Sequence, residues 1–490
     1  MKKHRIGFLL SSILILSVLA GCASKTAKNE LAVPEFGDSN GEVVFSAYSA
    51  PTINGNVTDE IEEAYKKLAE AGFGKAFALT EGNSSKSGSD KFDTIRRRSE
   101  HAQEVALKAL NFSEKYGIKY WVRDWGFYGL VRNYPDFTKE EYERVIAEMF
   151  SEDNKYIDHP AYGGNFGHDE PSVQDMEKIA WQIEYYQKYI AKNSATGGEI
   201  YINLLPEYAA ATALSAKQDY NYREYIDYYI ENLAPMLGYI CYDYYPLLKT
   251  NEGENYLREG YYHNFELVAQ KCKENDLEFR TFVQARADFT GIRQLEHIAD
   301  LRFQIYSGMA FGVREFVYYT YSNSGNEQDF TEINGYALFD SRTGEHTWIY
   351  DAAKQVHGEV HAMDNAYMAY DWDGVMYKNA NEMVENQLFM NLESPKESHD
   401  RMQIVSCTQD VMAGIFEAKE VDNEAQDAFM FVNVSEPSEL LDNEVTVKFE
   451  NATALLMYRF GEEKVVTLGK DGLYTFKLEP GEGRFVIPLK

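Results

Sequence analysis

The sequence predicts an α/β chain: a (β/α)8 TIM barrel followed by a C-terminal antiparallel β-sandwich. Three observations predict it. Short β-rich runs alternate with longer amphipathic stretches eight times from Glu42 onward, the rhythm of parallel strands joined by crossover helices. After about Met383 the helices stop, and short strands separated by turns take over, as in a small sandwich. No G-x-G-x-x-G or P-loop follows any early strand, so the rival open doubly wound sheet has no nucleotide fingerprint to support it. A chain of 490 residues, 44% of them hydrophobic, has the length and core for such a barrel with an appendage.

The predicted barrel strands are Val43–Ala47, Lys75–Leu79, Lys119–Arg123, Gly164–His168, Glu199–Leu204, Tyr239–Tyr244, Glu278–Gln284 and Glu315–Tyr319. Between them lie helical patterns. Thr138 with Glu141 reads as a capping box opening the third helix, and Ser172 with Asp175 opens the fourth. In that fourth helix Ile179, Ile183, Tyr186 and Ile190 recur at helical spacing and form one apolar face. The later strands are Gln403–Ser406, Met412–Glu417, Ala428–Val434, Val445–Phe449, Thr453–Phe460, Gly472–Leu478 and Arg484–Pro488. Turns such as Lys470-Asp471-Gly472 and Pro480-Gly481-Glu482-Gly483 punctuate them. The expected organisation is a leader over 1–21, a polar tether over 22–41, the barrel over 42–383 and the sandwich over 384–490.

The leader begins with Lys2, Lys3, His4 and Arg5, followed by the apolar run Ile6 to Leu19. That run is short for a membrane span and has the plan of a secretory signal. It ends in Leu19-Ala20-Gly21-Cys22, which resembles a bacterial lipobox. The resemblance implies cleavage before Cys22, a lipid anchor on that cysteine, and a body facing outward from the cell membrane. Ala23 to about Asn40 is small and polar, a spacer between anchor and body.

Charge narrows the partners. With 48 basic and 78 acidic residues the net charge is −30, which repels phosphate backbones and excludes nucleic acid as the main partner. Beyond Cys22, only Cys241, Cys272 and Cys407 are present, with no C-x-x-C. They form neither a disulfide framework nor a zinc cluster and read as small buried apolar residues. His168, without a second histidine at ligand spacing, gives no metal site. No cofactor is expected, and nothing in the chain specifies an oligomeric state. The 37 tyrosines outnumber the 28 phenylalanines; their flat faces and hydroxyls suit sugar rings as well as ordinary packing.

Chemistry in such barrels sits where strands end at the C-terminal face. Strand three ends in Arg123-Asp124-Trp125, strand four in His168-Asp169-Glu170-Pro171, and strand five in Asn203-Leu204-Leu205-Pro206-Glu207. Strand six carries Tyr242-Asp243-Tyr244, strand seven ends in Gln284, and strand eight runs into Tyr319-Thr320-Tyr321. Carboxylates buried there without a partner would cost several kcal/mol, so they point to a site. The candidate catalytic residues are Glu170, Asp243 and Asp169. The candidate carbohydrate contacts are Arg123, Asp124, Trp125, Asn203, Tyr242, Tyr244, Gln284, Tyr319 and Tyr321.

Asp169-Glu170-Pro171 resembles the acid/base position of barrel glycoside hydrolases. Leu301-Arg302-Phe303-Gln304-Ile305-Tyr306 with Gly308, Ala310 and Gly312, then Ala337-Leu338-Phe339-Asp340 with Gly344 and Trp348, resemble bacterial β-galactosidase-like barrels. Leu478-Glu479-Pro480-Gly481-Glu482-Gly483 is similar to the last hairpin of their sandwich appendages. The resemblance implies an enzyme that hydrolyses glycosidic bonds, with Glu170 as general acid/base. Retaining members of that clan carry a nucleophilic Glu at the end of strand seven, where this chain has Gln284. Glycoside hydrolysis takes two carboxyl groups, so the second comes from elsewhere: Asp243 first, Asp169 second. With Asp243 facing Glu170, direct displacement or inversion follows, depending on their separation. With Asp169 and Glu170 as a working pair, the substrate's own acetamido group is the nucleophile, which is similar to chitinase-like and hexosaminidase enzymes.

Each residue also has a structural reading. Asp169 and Glu170 suit the N-terminus of the following helix, and Asp243 suits a salt bridge to Arg123 or Arg286. Asn203 and Gln284 fill a barrel mouth as well as they bind hydroxyls. Trp125, Tyr244, Tyr319 and Tyr321 serve as core or as stacking platforms. A catalytically silent carbohydrate-capturing lipoprotein, or a lyase or esterase on the same barrel, is the alternative to a glycosidase.

Overall fold

The computed structural model describes residues 33–37, 41–51, 59–78, 86–216, 220–287, 291–323, 336–340, 343–419 and 427–490. The leader, Cys22 and most of the tether fall outside the described residues, as does Leu79 at the end of the second predicted strand.

Eight parallel strands appear where the alternation places them: β1 Val44–Tyr48, β2 Lys75–Phe77, β3 Lys119–Val122, β4 Tyr162–Asp169, β5 Glu199–Asn203, β6 Tyr239–Tyr242, β7 Glu278–Gln284 and β8 Glu315–Tyr319. The main helices between and after them are α1 Asp59–Glu70, α2 Lys91–Lys115, α3 Lys139–Met149, α4 Val173–Asn193, α5 Tyr222–Asn232, α6 Tyr261–Asn275, α7 Ile298–Ala310 and α8 Trp348–His361. Thr138 and Ser172 each form the capping box expected of them, with Glu141 and Asp175. Ile179, Ile183, Tyr186 and Ile190 are buried together.

The sheet runs β5-β4-β3-β2-β1-β8-β7-β6. It closes between β5 and β6 through a parallel bridge from Leu204 to Tyr242. Below that bridge the Tyr239 hydroxyl stands in for a ladder bond: it accepts from Ile202 N at 2.8 Å and donates to Ile200 O at 3.0 Å. Aromatic side chains fill the interior, among them Phe77, Trp121, Phe166, Tyr201 and Phe282. At the N-terminal end a buried charge cluster holds the strands together. There Glu315 pairs with Lys75 at 2.7 Å and Arg280 at 3.3 Å. The barrel interior is packed through, and the opposite rim is where the strands end at their C-terminal side.

Two antiparallel sheets follow. One has six strands, in the order Tyr370–Lys378, Val411–Ala418, Ala428–Asn433, Gly483–Leu489, Ala454–Arg459 and Glu462–Thr467. The other has three: Met402–Cys407, Asn443–Phe449 and Leu473–Leu478. Ile404, Val445, Val447 and Phe476 of the small sheet share a core with Ile415, Phe429, Phe431 and Val486 of the large one. The expected boundary at Met383 is corrected: the antiparallel layer already starts with Tyr370–Lys378. That strand pairs with Val411–Ala418 and bulges between Trp372 and Gly374. Its Trp372 donates to Ala310 O at 3.1 Å, which ties the layer to α7.

The whole of Val33–Lys490 is one compact unit, and α7 explains why. Every residue of that helix except Ile298 is buried, because the barrel covers one side and the large sheet the other. A Cβ on Gly414 would come within 2.2 Å of Ala310 O, so only glycine permits this approach. Arg293, bound to Asp300 at 2.6 Å and Glu436 at 2.7 Å, fastens the same seam.

Candidate active site

Three carboxyl groups and one amide meet at the C-terminal rim. Asp169 closes β4 in register with Asn203, the last residue of β5. A bulge between Phe166 and His168 precedes them, the kind of irregularity that re-aims side chains beside a site. Asn203 is buried, and its Nδ2 donates to Asp243 Oδ1 at 3.0 Å and Asp169 Oδ1 at 3.3 Å. Those two carboxyl oxygens therefore lie no farther apart than the two hydrogen bonds laid end to end. Asp169 Oδ2 accepts from the Tyr48 hydroxyl at 3.1 Å. Burial, with the Asp169 charge second, keeps the Tyr48 phenol protonated and able to donate.

Glu170 follows with φ of +50°, in the left-handed region that a side chain makes costly. Its N–H donates to Asn203 O at 2.9 Å, and the next residue, Pro171, is held by the Tyr225 hydroxyl at 2.9 Å. The Glu170 side chain is open to solvent at the mouth, but protein crowds its carboxyl from the sides. That desolvation, then the Asp169 charge, raises its pKa to about 7 against the opposing pull of Arg132. Asp243 is 5% exposed. Burial first, then the charges of Glu170 and Asp169, push it well above the usual carboxylate range, and the Asn203 hydrogen bond only partly offsets this.

The site therefore distinguishes its acids by environment. Asp169 receives two donors and lies in the field of the buried Arg123 guanidinium. Glu170 titrates near neutrality, and burial disfavours the charged form of Asp243.

The candidate carbohydrate contacts divide into two groups. Arg123 lies beneath the floor, 3.9 Å from the Tyr128 ring centre and 4.7 Å from that of Trp125. Tyr319 stands at the rim between Tyr48 and Tyr245, with ring centres 5.9 and 5.4 Å away. Tyr244 lines a cavity beside the carboxyl cluster. Trp125 is half-buried beside Arg123, while Asp124, Tyr242, Tyr321 and Gln284 are placed in the framework. Asp124 is fully buried and caps the short helix Trp125–Tyr128 through Gly126 N at 2.8 Å, while Ser99 donates to its other oxygen at 2.5 Å. Tyr242 points outward into the helix layer against Phe265 and Phe279. Tyr321 is buried against Phe73 and Phe339, and its hydroxyl bonds His346 at 3.0 Å. Period-two alternation places Tyr242 opposite Cys241, which faces the barrel interior.

Gln284 is the most informative of these. Its Nε2 donates to Leu247 O at 3.1 Å and Arg293 O at 2.8 Å, and its Oε1 accepts from Leu247 N at 3.0 Å. Both amide hydrogens are committed to the backbone, so Gln284 clamps the hairpin of Leu247–Lys249 and Asn255–Leu257 that follows β6 and has no side-chain donor left for a sugar.

No family model matches the chain, and no curated protein does. Solved structures do match it. A structure described as a glycoside hydrolase superposes with a TM-score of 0.54 over 92% of this chain and 96% of its own, at 13% identity. The chain has the fold of a glycoside hydrolase. Two further matches are a family 39 glycoside hydrolase from the gut symbiont Bacteroides cellulosilyticus WH2 and a β-galactosidase from the psychrophilic Marinomonas ef1. The first has a TM-score of 0.48 and 11% identity, over 93% of this chain and 83% of that one. The second has 0.45 and 11%, over 67% and 62%. Within this glycoside hydrolase fold, strand seven ends in an engaged amide, and the carboxyl groups gather on strands four and six.

Sequence reasoning missed Tyr48, Tyr128, Tyr208 and Tyr245. Tyr48 ends β1, and its position as a strand-end polar residue was the available signal. Tyr208 follows Glu207, and its hydroxyl lies in the fields of both Asp243 and Glu170. His168, the lone candidate ligand, is buried and neutral: desolvation lowers its pKa to about 4. Among the described residues one group of metal-ligand type, Glu42, His361 and Asp364, comes together at the far end of the barrel. There Asp364 accepts from Val43 N at 3.1 Å and from His361 Nδ1 at 2.7 Å, tying β1 to the end of α8.

Proposed function

We propose that the protein is a glycoside hydrolase acting on oligo- or polysaccharide at the bacterial cell surface, with Glu170 as general acid/base. The observation that carries the reading is the Glu170 carboxyl, which titrates at about 7 beside the hydrogen-bonded Asp169. A group with that pKa holds a proton near neutrality and can deliver it to a glycosidic oxygen. The bond from the anomeric carbon to that oxygen breaks, its electron pair leaves with the alcohol, and positive charge develops on the sugar. Glu170, now a carboxylate, then takes a proton from the incoming water.

Asp169 suits the charged role better than Asp243, because it accepts from Tyr48 and Asn203 while burial of Asp243 favours the neutral acid. One observation favours a second reading of the mechanism. Asp169 and Glu170 are consecutive at the end of one strand, and Gln284 supplies no carboxylate from strand seven. A nucleophile carried by the substrate, the oxygen of a 2-acetamido group, fits a pair placed this way, with Asp169 orienting the amide N–H.

Glu170→Gln should lower turnover about 10²-fold or more, with a smaller loss on nitrophenyl glycosides, whose leaving group needs little protonation. Asp169→Asn as the more damaging change, with cleavage confined to N-acetylated sugars, would establish the substrate-assisted route. No turnover of any glycoside in a broad panel by the wild type, with sugar binding retained, would make the protein a carbohydrate-capturing lipoprotein instead.

The surface location rests on the leader and on Cys22. A fatty-acid probe should label cells carrying the wild type and miss Cys22→Ser; equal labelling would refute the anchor.

A further inference from the structure

Beside the carboxyl cluster lies an open cavity of about 470 Å³, which is large enough for a sugar ring. Tyr208, Tyr244, Glu207, Glu259, His263 and Asn391 contribute its wall. It adjoins the reacting centre directly: Tyr244 is the next residue after Asp243, and the Tyr208 hydroxyl feels the charges of Asp243 and Glu170. Tyr208 is 41% exposed. Its ring is nevertheless braced, with the Arg258 guanidinium 4.1 Å from its centre and the Tyr244 ring at 4.9 Å and 77°. An aromatic surface held in place and left bare is what the C–H face of a sugar ring packs against.

One wall comes from the antiparallel layer. Residues 386–394 leave that layer and return to the barrel rim. Gln387 donates to Leu257 O at 2.9 Å, Glu393 binds Arg223 at 2.7 Å and His263 at 3.3 Å, and Asn391 reaches Glu259 at 3.5 Å. The polar lining is acidic. Glu207 spends Oε1 on His263 at 2.7 Å, and its Oε2, just under the wall, has no hydrogen-bond partner among the described residues. The positive charge of His263 is already shared by Glu207 and Glu393. Glu259 adds a further carboxylate, with Asp169 and Glu170 close by.

We infer that this cavity is a second sugar subsite, built jointly by the barrel and the 386–394 segment, that takes an uncharged pyranose unit and rejects uronic acid residues. Acceptors and an aromatic face suit hydroxyl-bearing rings, whereas an added carboxylate would meet like charge. The inference rests on the carbohydrate reading of the neighbouring carboxyl cluster and extends it to chain length and charge class.

The test uses the full chain carrying Glu170→Gln, so that ligands survive titration. Calorimetry is run with neutral β-linked disaccharides and trisaccharides and with di- and trigalacturonate. A neutral trisaccharide should bind about tenfold tighter than its disaccharide. That gain should vanish when Tyr208→Ala and Asn391→Ala are added, and the galacturonates should bind at least about tenfold more weakly. A length gain that survives both substitutions, equal binding of galacturonates, or no binding of any neutral sugar would overturn the inference. Length-dependent binding by a wild type that hydrolyses nothing would refute the glycosidase reading and leave the subsite standing.

Discussion

Asn203 donates the hydrogen bond that Asp243 accepts, Nδ2 to Oδ1 at 3.0 Å, from a position where both are almost wholly buried. The same nitrogen faces Asp169 at 3.3 Å, so one amide sets the spacing of two acids. Under the proposed function Asn203 touches no reacting atom and acts as a positioning residue. Asn203→Ala should push Asp243 further up, because the one side-chain donor opposing its desolvation is gone. Turnover should fall about 10²-fold with the far-ultraviolet circular dichroism unchanged. Asn203→Asp should be worse than Ala at pH 7 and converge with it at low pH, where the added carboxyl is neutral. A pH-independent gap between the two variants would mean that shape, not charge, is what Asn203 supplies.

Gln284 allows a sharper experiment on strand seven. Placing the clan's glutamate there by Gln284→Glu should create no nucleophile. The new carboxylate would face Leu247 O and Arg293 O, which now accept from the amide. Two carbonyls would lose their donors and a charge would be buried, at a cost of about 3 kcal/mol or more. Urea denaturation should show the loss directly. Raised activity in Gln284→Glu, with stability intact, would contradict the clamp and restore a conventional site.

The fold was legible because its signals are local and repeated. Each barrel strand is a short β-rich run between turn signals, and both Thr138 and Ser172 carry their caps within three residues. The boundary was less legible, since Tyr370–Lys378 looks like the tail of a barrel and becomes a sheet strand only through pairing with Val411–Ala418. Strand Glu462–Thr467 escaped for a related reason: it is an edge, largely exposed, with no buried alternation to read. At the site, Glu170, Asp169, Asp243 and Asn203 were legible as polar residues at strand ends. Which way a side chain faces was not. Tyr242 and Asp243 are neighbours in sequence, yet one lies in the helix layer and the other at the mouth. The framework bonds of Gln284 and Asp124 were not legible, because their partners, Leu247, Arg293 and Ser99, lie 37, 9 and 25 residues away.

His263 couples pH to the seam between barrel and antiparallel layer. Its Nδ1 bonds Glu207 at 2.7 Å and its Nε2 bonds Glu393 at 3.3 Å, with the side chain 17% exposed. The Glu207 hydrogen bond, reinforced by the charges of Glu207 and Glu393 and opposed by desolvation, raises its pKa from 6.5 to about 8. A histidine whose pKa is raised on folding binds its proton more tightly in the native state. Its stabilisation is complete below about pH 6.5, where both states are charged, and is lost as pH rises through about 8. A shift of this size is worth about 2 kcal/mol at most. Urea denaturation of the wild type and His263→Gln should therefore differ by about 1–2 kcal/mol at pH 6 and converge by pH 9. Loss of the imidazolium also weakens one of the contacts holding residues 386–394 to the rim. Protease cleavage within that segment should then quicken in the wild type between pH 7 and pH 9 and be pH-independent over that range in His263→Gln. A stability gap that stays constant or widens with pH would show that His263 acts by packing, without its charge.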